Sequence, residues 1–337
     1  MNESTYTIQA TPIRVSVIIP VYNAGEYLRP CLEALMAQTL QEMEFIFVLD
    51  CPTDGSDVLV KQYAKKDKRF VVIENEENLH IGLSRNRGIE AARGEYIAFC
   101  DHDDVMRPEM YQELYDFAAC QSYDIAMSIP ATRSNQHTEV WEQPIEDDRH
   151  IRETILTDLI SWGGSKRGIS LFCYIHTNLY LRQLLLDHNI LFIDTKITTP
   201  EDVIFNIQTT YAAQHIGILR QNYYQHNLID TSTGHQTIYL DWKKRHNGIQ
   251  YIYNFLMSNH IFQEYEDAFY WYVQKQYLNS LLSIIIHHRG FREWITAYRT
   301  LRSTPYTRDA FRHYHDYVPR PWHKKIVRKI LAHILAL

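Results

Sequence analysis

The hydrophobic positions of the first hundred residues alternate between short continuous runs and helically spaced stripes. The runs are "VSVIIP" (15–20), "FIFVLD" (45–50), "RFVVIE" (69–74) and "YIAFCD" (96–101). A continuous apolar run of this length predicts a strand that is buried on both faces. Between the runs, apolar residues recur every three or four positions, which predicts helices from Tyr27, over 57–66 and over 83–94. Gly94 is predicted to end the third of these helices.

This regular alternation of strands and helices predicts a parallel, right-handed, Rossmann-like sheet. Ligands of such sheets bind beyond the carboxyl ends of the strands. Asn23, Asp50 and Asp101 follow three of the predicted strands. We therefore expect the functional site at that edge of the sheet.

Beyond about residue 105 the alternation weakens. The patterns there predict a strand over 123–130 and helices over 107–121, 179–189 and 198–214. In the last of these helices, Thr199 is the expected N-cap and Pro200 lies just inside. After about residue 236 the chain is typical of aromatic-rich helices. The expected organisation is a tail (1–13), an α/β domain (14–235) and a helical C-terminal extension (236–337).

Composition narrows the class of protein. The 337 residues are 45% hydrophobic and 22% charged, which fits one large α/β domain with an extension. The formal net charge of -6 argues against a general nucleic-acid partner. The five cysteines are odd in number and form no CxxC pair, so a reducing compartment is expected. With neither a signal peptide nor a long apolar run recognised in the sequence, we expect a cytoplasmic protein.

The segment "CDHDD" (100–104) places three carboxylates directly after a buried strand. Like charges at such a position repel one another and are costly to desolvate unless a cation or hydrogen-bond donors meet them. Oxygen ligands of this kind suit Mg²⁺ or Mn²⁺, which can bridge a diphosphate. The alternative is a solvated acidic turn that caps the next helix. The chain has neither a Walker motif nor GxGxxG, which argues against ATPases and dehydrogenases.

Five motifs in order give the chain its resemblance to a known family. They are "VSVIIPVYN", "VLDCPTDGS", "SRNRG", "GEYIAFCDHDD" and "PEDVIFN". Together they resemble the inverting family 2 glycosyltransferases of the GT-A fold, over roughly residues 14–235. The resemblance implies a mostly parallel sheet flanked by helices. Two positions depart from the family pattern: Leu49 replaces the first Asp of an Asp-Asp pair, and His226 lies near the position of an Arg.

The resemblance implies a nucleotide-sugar site at the strand ends. Pro20, Tyr22 and Asn23 are expected to line the base pocket, and Asp50 to accept a hydrogen bond from the uracil N3. Arg85 is expected near the base or the phosphates, with a surface ion pair as its alternative. The pocket leaves uridine, guanosine and thymidine open.

The resemblance also implies a divalent cation, Mn²⁺ or Mg²⁺. Asp103 is the expected direct ligand, and Asp101 is expected to contact the ribose and the cation. Asp104 is expected to support the metal site or the acceptor. His226 can hold the diphosphate when protonated or bind the metal when neutral. A structural or solvent-facing role is its alternative.

Asp202 is the catalytic base that the resemblance implies, with Glu201 beside it to orient the substrate. The base would deprotonate the acceptor hydroxyl in a single displacement that inverts the anomeric carbon. The alternative is purely structural, because carboxylates in the first turn of a helix are favoured by the helix dipole in any case.

The C-terminal stretch "PWHKKIVRKILAHILAL" predicts a basic amphipathic helix. Its predicted apolar arc comprises Trp322, Ile326, Val327, Ile330, Leu331, Ile334 and Leu337, and its basic arc Lys325, Arg328 and Lys329. This pattern favours contact of residues 320–337 with an anionic membrane at the inner face of the cell membrane. The alternative is docking on the protein's own core or on another subunit.

These observations predict an inverting, metal-dependent glycosyltransferase. It would move a sugar from a nucleotide donor, a UDP-sugar in the preferred interpretation, to a saccharide or lipid-linked saccharide in capsule, lipopolysaccharide or similar glycan synthesis. One alternative is a nucleotidyltransferase, but "IIPVYNAGEYLR" has no GxGxR-like loop and no Lys. The other is a binding or scaffold subunit. Loss of Asp103 or Asp202 would favour it, and both residues are present.

Overall fold

The computed structural model describes residues 12–129, 148–161, 174–225, 241–286, 290–312 and 322–336. The chain divides into two compact units. The first, here called the sheet unit, comprises Met1–Arg133, Ile175–Ile190 and Ala213–Asn227. The second, the helical unit, comprises Ser134–Tyr174, Leu191–Ala212 and Leu228–Leu337. The domain boundary expected at 235/236 lies outside the described residues.

The sheet unit contains a seven-stranded sheet in the order β3-β2-β1-β4-β7-β6-β8. Its strands are β1 (Val15–Val21), β2 (Met43–Leu49), β3 (Phe70–Glu74), β4 (Tyr96–Phe99), β6 (Ile125–Ser128), β7 (Asn178–Leu181) and β8 (Ile216–Leu219). The first four are parallel, as predicted, and β7 runs antiparallel to both of its neighbours. Every residue of β1 and β2 is buried, which explains their continuous apolar runs. A separate ribbon pairs β5 (Val105–Met106) with β9 (Tyr224–Gln225).

The helices of the sheet unit lie between these strands. They are α1 (Leu28–Met36), α2 (Ser56–Ala64), α3 (His80–Ala91), α4 (Met110–Gln121) and α6 (Arg182–Asp187), with a 3-10 turn at Gly25–Tyr27. The prediction that Gly94 ends α3 is wrong, because the helix ends at Ala91. Gly94 serves a close backbone approach instead. A Cβ there would lie 2.5 Å from the Ser16 nitrogen, and the Gly94 N–H donates to Ser16 Oγ at 2.8 Å.

The helix predicted over 179–189 is also wrong at its start, because the first three of these residues belong to a strand. Residues Asn178–Leu181 form β7, which fills the gap between β4 and β6, and only six residues then turn into α6. A short apolar run does not distinguish a buried strand from a helix, and here pairing with two neighbouring strands decides in favour of the strand.

Strand order fixes the position of the candidate site. Beyond β1 the chain adds β2 and β3 on one side, and it then returns to add β4 on the other side. The sheet order therefore reverses between β1 and β4, and such a switch point opens a crevice at the carboxyl ends of the two strands.

The helical unit agrees with the aromatic-rich helices predicted for the end of the chain. It contains α5 (Asp148–Ser161), α7 (Glu201–Ala212), α8 (Trp242–Ser258), α9 (Phe262–Ile286), α10 (Phe291–Arg302), α11 (Thr307–Arg312) and α12 (Trp322–Ala336). Helix α7 begins later than predicted, at Glu201. The Ile204 N–H donates to the Pro200 carbonyl, so Pro200 precedes the helix rather than lying inside it.

The C-terminal helix α12 packs on its own unit. Leu331, Ala332 and Leu335 are buried. Arg328, which was predicted on the solvent-facing basic arc, is also buried and donates to Asn279 Oδ1 at 2.9 Å. The predicted arcs are therefore rotated from the observed ones, and docking on the protein's own core is what these residues show. Within the described ranges, no helix is both long and apolar enough to cross a bilayer.

Candidate active site at the carboxyl ends of β1, β2 and β4

The loops after β1 and β2 are joined by hydrogen bonds. Asn23, in the left-handed region at φ +47°, accepts the Thr53 N–H on Oδ1 at 2.7 Å. The Gly25 N–H donates to Asp54 Oδ2 at 2.8 Å. Beside this junction Pro20 is buried in β1, whereas Tyr22 is about half exposed. The residues predicted to line the base pocket therefore lie together on a braced loop, with the Tyr22 ring open to solvent.

Asp50, at the end of β2, is buried and is used by the protein itself. Its Oδ1 accepts hydrogen bonds from Asn75 Nδ2 at 2.8 Å and from the Leu79 N–H at 2.7 Å. Its Oδ2 accepts the His80 N–H at 2.9 Å. The carboxylate thus satisfies N–H groups at the start of α3 that the helix leaves without partners. Its predicted contact with a base would be made in addition to this capping role.

Arg85 ties helix α3 to the end of β4. Its guanidinium is almost fully buried, and Nη2 donates to Asp101 Oδ1 at 3.0 Å. The alternative of a surface ion pair is therefore wrong. A buried ion pair of this kind holds its carboxylate in one place, because each charge would be costly to leave unpaired.

Asp104 is fully buried at the opposite end of the same turn. Its Oδ2 accepts a hydrogen bond from the Tyr224 hydroxyl at 2.8 Å, and that hydroxyl accepts the Asp101 N–H at 3.3 Å. The Tyr224 ring stacks on His176, with centroids 5.3 Å apart and planes 17° apart. Burial raises the pKa of Tyr224, so its hydroxyl stays protonated as a donor.

Asp101, Asp104 and His176 converge on one point. One ligand atom from each lies within 4.8 Å of the other two, and the His176 Nδ1 to Asp101 Oδ2 distance is 3.7 Å. Two carboxylates and an imidazole form a donor set that suits a divalent cation. Asp101 is partly exposed, so the cluster is open on one side. The residues present therefore fit a divalent cation. Asp101 belongs to the cluster, Asp104 and His176 join it, and Asp103, the predicted direct ligand, is not one of its three members.

Asp103 lies in the same turn, and its pKa is shifted by burial and by the neighbouring charges. Burial raises the pKa of Asp103, and the charges of Asp101 and Asp104 raise it further, while His102 lowers it. The His102 Nδ1–H donates to the Pro20 carbonyl at 3.1 Å, since a carbonyl oxygen can only accept. Because Asp104 is buried and the turn leads into β5 rather than a helix, the alternative of a solvated capping turn is wrong.

The predicted catalytic pair lies in the helical unit. Glu201 and Asp202 open the first turn of α7, as expected from the sequence. His226, predicted for the diphosphate or the metal, lies outside the described residues.

Three residues of the site were not singled out from the sequence: His176, Tyr224 and His102. No local spacing marks His176, because it precedes a strand that was itself read as helix. Tyr224 lies in the segment "YYQH", of which the family pattern singles out only His226. His102 lies between the three carboxylates, and its role depends on a contact with β1. Sheet pairing brings these residues to the site, and local sequence does not record that pairing.

Comparison with known sequences decides the family. The glycosyl transferase family 2 profile matches residues 16–187, just over half of the chain. The chain belongs to glycosyl transferase family 2. The match includes the turn that carries Asp101, Asp103 and Asp104, and it ends before Glu201.

Curated relatives of this family 2 chain include two bacterial proteins. It is 34% identical over 211 residues to the uncharacterized glycosyltransferase EpsJ of Bacillus subtilis, covering 62% of the chain and 60% of the relative. It is 33% identical over 221 residues to the uncharacterized glycosyltransferase YibD of Escherichia coli, covering 65% and 62%. The chain thus matches about three fifths of the length of these relatives.

Solved structures show the same fold. TarS 1-349 of S. aureus in complex with UDP-GlcNAc superimposes with a TM-score of 0.65 at 18% identity, covering 96% of this chain and 90% of that one. At this identity the likeness concerns the fold. It confirms the mostly parallel sheet with flanking helices that was predicted from the sequence.

Proposed function

We propose that this chain is an inverting, metal-dependent glycosyltransferase. It moves a sugar from a nucleotide-sugar donor to a saccharide acceptor in the synthesis of a cell-surface glycan such as capsule or lipopolysaccharide. The observation that carries the proposal is the convergence of Asp101, Asp104 and His176 at the switch point of a family 2 fold. An arrangement of acids and an imidazole at that place suits a metal-bound diphosphate.

The proposed donor is a UDP-sugar. The fold neighbour TarS was solved with UDP-GlcNAc and with UDP, which supports uridine as the first base to test. In this chain Pro20, Tyr22 and Asn23 offer a partly exposed ring on a braced loop, which suits stacking against a base. Asp50 adds a carboxylate whose position is already fixed by three hydrogen bonds. Arg85 acts on this site by fixing Asp101.

The proposed cation is Mn²⁺ or Mg²⁺, held by Asp101, Asp103, Asp104 and His176. When bound, it neutralises the charge that develops on the departing diphosphate. The raised pKa of Asp103 supports this assignment, because crowded carboxylates are relieved by a positive charge. The Tyr224 hydroxyl orients Asp104 by donating to Oδ2, as outer-sphere donors commonly do for metal ligands.

The proposed general base is Asp202, with Glu201 orienting the acceptor. Asp202 takes the proton of the acceptor hydroxyl while that oxygen bonds to the anomeric carbon. The bond from that carbon to the diphosphate breaks, and the nucleoside diphosphate leaves with the electron pair. One displacement of this kind inverts the anomeric centre. A positioned base contributes about 10²–10⁴-fold to such a reaction.

The acceptor class is proposed from relatives. The chain is 38% identical over 103 residues to a putative teichuronic acid biosynthesis glycosyltransferase of Bacillus subtilis. It is 38% identical over 118 residues to a poly(ribitol-phosphate) beta-glucosyltransferase of Bacillus spizizenii. Both names concern cell-surface polymers, and this supports a saccharide or lipid-linked saccharide acceptor handled at the inner face of the membrane.

The test is binding and hydrolysis across a panel of UDP-, GDP- and dTDP-sugars, with Mn²⁺, with Mg²⁺ and with EDTA. We expect one donor to bind only with metal, Asp103→Ala to abolish that binding, and Asp202→Asn to bind the donor without turnover. Donor binding that persists undiminished in EDTA would contradict the metal dependence. If no nucleotide sugar binds with either metal, the chain is a binding or scaffold subunit and the enzymatic proposal fails.

A further inference from the structure

The two most exposed large apolar side chains of the described residues lie close together in the sequence. Ile286, the last residue of α9, is 65% exposed, and Phe291, the first residue of α10, is 76% exposed. Ile285 beside them is about half exposed. Exposed apolar side chains are ordinary when isolated, but a local group of them marks a contact surface.

An aromatic stripe extends this group along α10. The rings of Phe291 and Trp294 stack with centroids 6.4 Å apart, and those of Trp294 and Tyr298 stack at 5.5 Å. These residues are spaced i, i+3 and i+7, so they follow one face of the helix. The buried Ala297 and Leu301 lie on the same side of α10 as Trp294, because at roughly 100° per residue Leu301 is about 20° from Trp294 around the helix. The stripe therefore runs from the exposed Phe291 into the packed side of α10, where the Tyr298 hydroxyl donates to the Ile334 carbonyl of α12 at 3.4 Å.

Arginines flank the aromatic stripe. At roughly 100° per residue, Arg292, Arg299 and Arg302 project beside it, whereas Glu293 projects to the other side of α10. Arg312 pairs with Asp309 at 2.9 Å, but neither Arg299 nor Arg302 forms a salt bridge within the part of the chain that the structure describes. These positive charges are thus available to an anionic partner.

A cleft of about 260 Å³ opens beside these arginines. Its lining residues are Tyr298, Arg299, Arg302, Ser303, Arg308 and Leu335. Guanidinium and hydroxyl donors around a small cleft suit a phosphate group. The exposed apolar tip and the basic cleft occur together within one unit.

We propose that this α9–α10 corner, defined by Ile285, Ile286, Phe291, Arg299 and Arg302, binds the surface of an anionic lipid bilayer. The apolar tip enters the boundary between headgroups and acyl chains, and the arginines meet lipid phosphates. In α12, the apolar residues Leu331 and Leu335 are buried in the protein. This inference does not depend on the proposed reaction.

The test is co-sedimentation of the full chain with vesicles of phosphatidylcholine alone and of phosphatidylcholine mixed with phosphatidylglycerol. We expect binding to the anionic vesicles only, weakened by added NaCl. The double variant Arg299→Gln, Arg302→Gln should lose about 30-fold in affinity. The double variant Ile286→Ser, Phe291→Ser should lose on the order of tenfold or more.

Matched controls separate the corner from general charge and hydrophobicity. Val58→Ser removes an exposed apolar side chain on α2, and Arg149→Gln removes an exposed arginine on α5; both should bind like the parent chain. Circular dichroism and nucleotide binding report folding independently of lipid. The proposal is overturned if the parent chain ignores anionic vesicles or if the corner variants bind as well as the controls. Loss of binding in Ile330→Ser alone would assign the contact to α12 instead.

Discussion

The strand ends after β2 and after β4 both carry a buried carboxylate, but the protein treats the two in opposite ways. After β2, Asp50 receives three hydrogen bonds from α3 and Asn75. After β4, Asp101, Asp103 and Asp104 are crowded together, and the pKa of Asp103 is raised by burial and by its neighbours. Three hydrogen-bond donors hold the Asp50 carboxylate, whereas the carboxylates after β4 lie beside one another even though Arg85 pairs with Asp101 and Tyr224 donates to Asp104.

This difference separates a carboxylate that the fold uses from a group of carboxylates to which we assign a role in the proposed reaction. A carboxylate whose partners are backbone N–H groups stabilises the folded chain without any ligand. A carboxylate such as Asp103, whose pKa is raised by burial and by neighbouring negative charges, is typical of functional sites. The comparison supports an architectural role for Asp50 and the proposed cation site at the end of β4.

The largest expected effect is the loss of stability in Asp50→Ala. The substitution leaves the Leu79 and His80 N–H groups and the Asn75 amide without their acceptor, which should lower the free energy of unfolding by about 3 kcal/mol. Urea unfolding followed by circular dichroism measures it. Asp50→Asn retains one carbonyl oxygen and should lose only about 1 kcal/mol. Equal midpoints for Asp50→Ala and the parent chain would show that Asp50 is not architectural.

The next largest expected effect is weaker Mn²⁺ binding in variants of residues at the end of β4. Tyr224→Phe removes the hydroxyl that donates to Asp104, and it should weaken Mn²⁺ binding about tenfold. His176→Asn should weaken it at least as much, because it removes a proposed ligand. Tyr223→Phe is the matched control, since the Tyr223 hydroxyl donates to Glu113 instead. Free Mn²⁺ measured by electron paramagnetic resonance gives the affinities, and equal losses in both tyrosine variants would argue against a specific role for Tyr224.

The third expected effect is smaller and is a gain in stability, in Asp103→Asn. The folded-state pKa of Asp103 is raised, so its protonated form stabilises the fold at low pH, and that contribution is lost as the pH rises through the folded-state pKa. Asp103→Asn should therefore raise the melting temperature by a few degrees at neutral pH and abolish donor binding. The gain should shrink toward about pH 4. Thermal melts across pH measure this, and a variant that melts below the parent chain at neutral pH would contradict it.

The smallest expected effect is a loss of stability in a variant of Asp54, in the loop after β2. Burial alone would raise the pKa of Asp54, but hydrogen bonds from Ser56 and Gly25 lower it overall. The ionised Asp54 side chain therefore stabilises the fold above the unfolded-state pKa of 3.8. This stabilisation is lost as the pH falls through the lower folded-state pKa. Asp54→Ala should cost less than about 1 kcal/mol, because the side chain is largely exposed. Asp57→Ala, in the first turn of α2, is the control, and thermal melts that show no difference between the two variants would exclude a special role for Asp54.

The sheet half of the fold could be predicted because its signals are local. Strands such as β1 and β2 are continuous apolar runs, and a polar residue marks each strand end. The strand β7 could not be predicted, because its four residues become a strand only through pairing with β4 and β6. The same reason explains why the buried side of α12 was misjudged. Arg328 is buried through a contact with Asn279, which a helical wheel does not contain.

The residues of the candidate site likewise divide into those that the sequence predicts and those that it does not. Asp50, Asp101 and Asp103 were predicted because strand ends and the family motifs mark them. The capping role of Asp50 was not predicted, since it depends on where α3 begins. His176 and Tyr224 reach the cluster through tertiary contacts across more than forty residues of sequence, and only the folded chain brings them to Asp101 and Asp104.

The measurement that tests the central claim most directly is Mn²⁺ binding by electron paramagnetic resonance to the parent chain, Asp104→Asn and Asp50→Asn. The two variants make the same chemical change to one buried carboxylate on each side of the comparison. We predict that Asp104→Asn loses most of its Mn²⁺ affinity while Asp50→Asn keeps it. Unchanged affinity in Asp104→Asn, or an equal loss in both variants, would contradict the assignment of the cation to the end of β4.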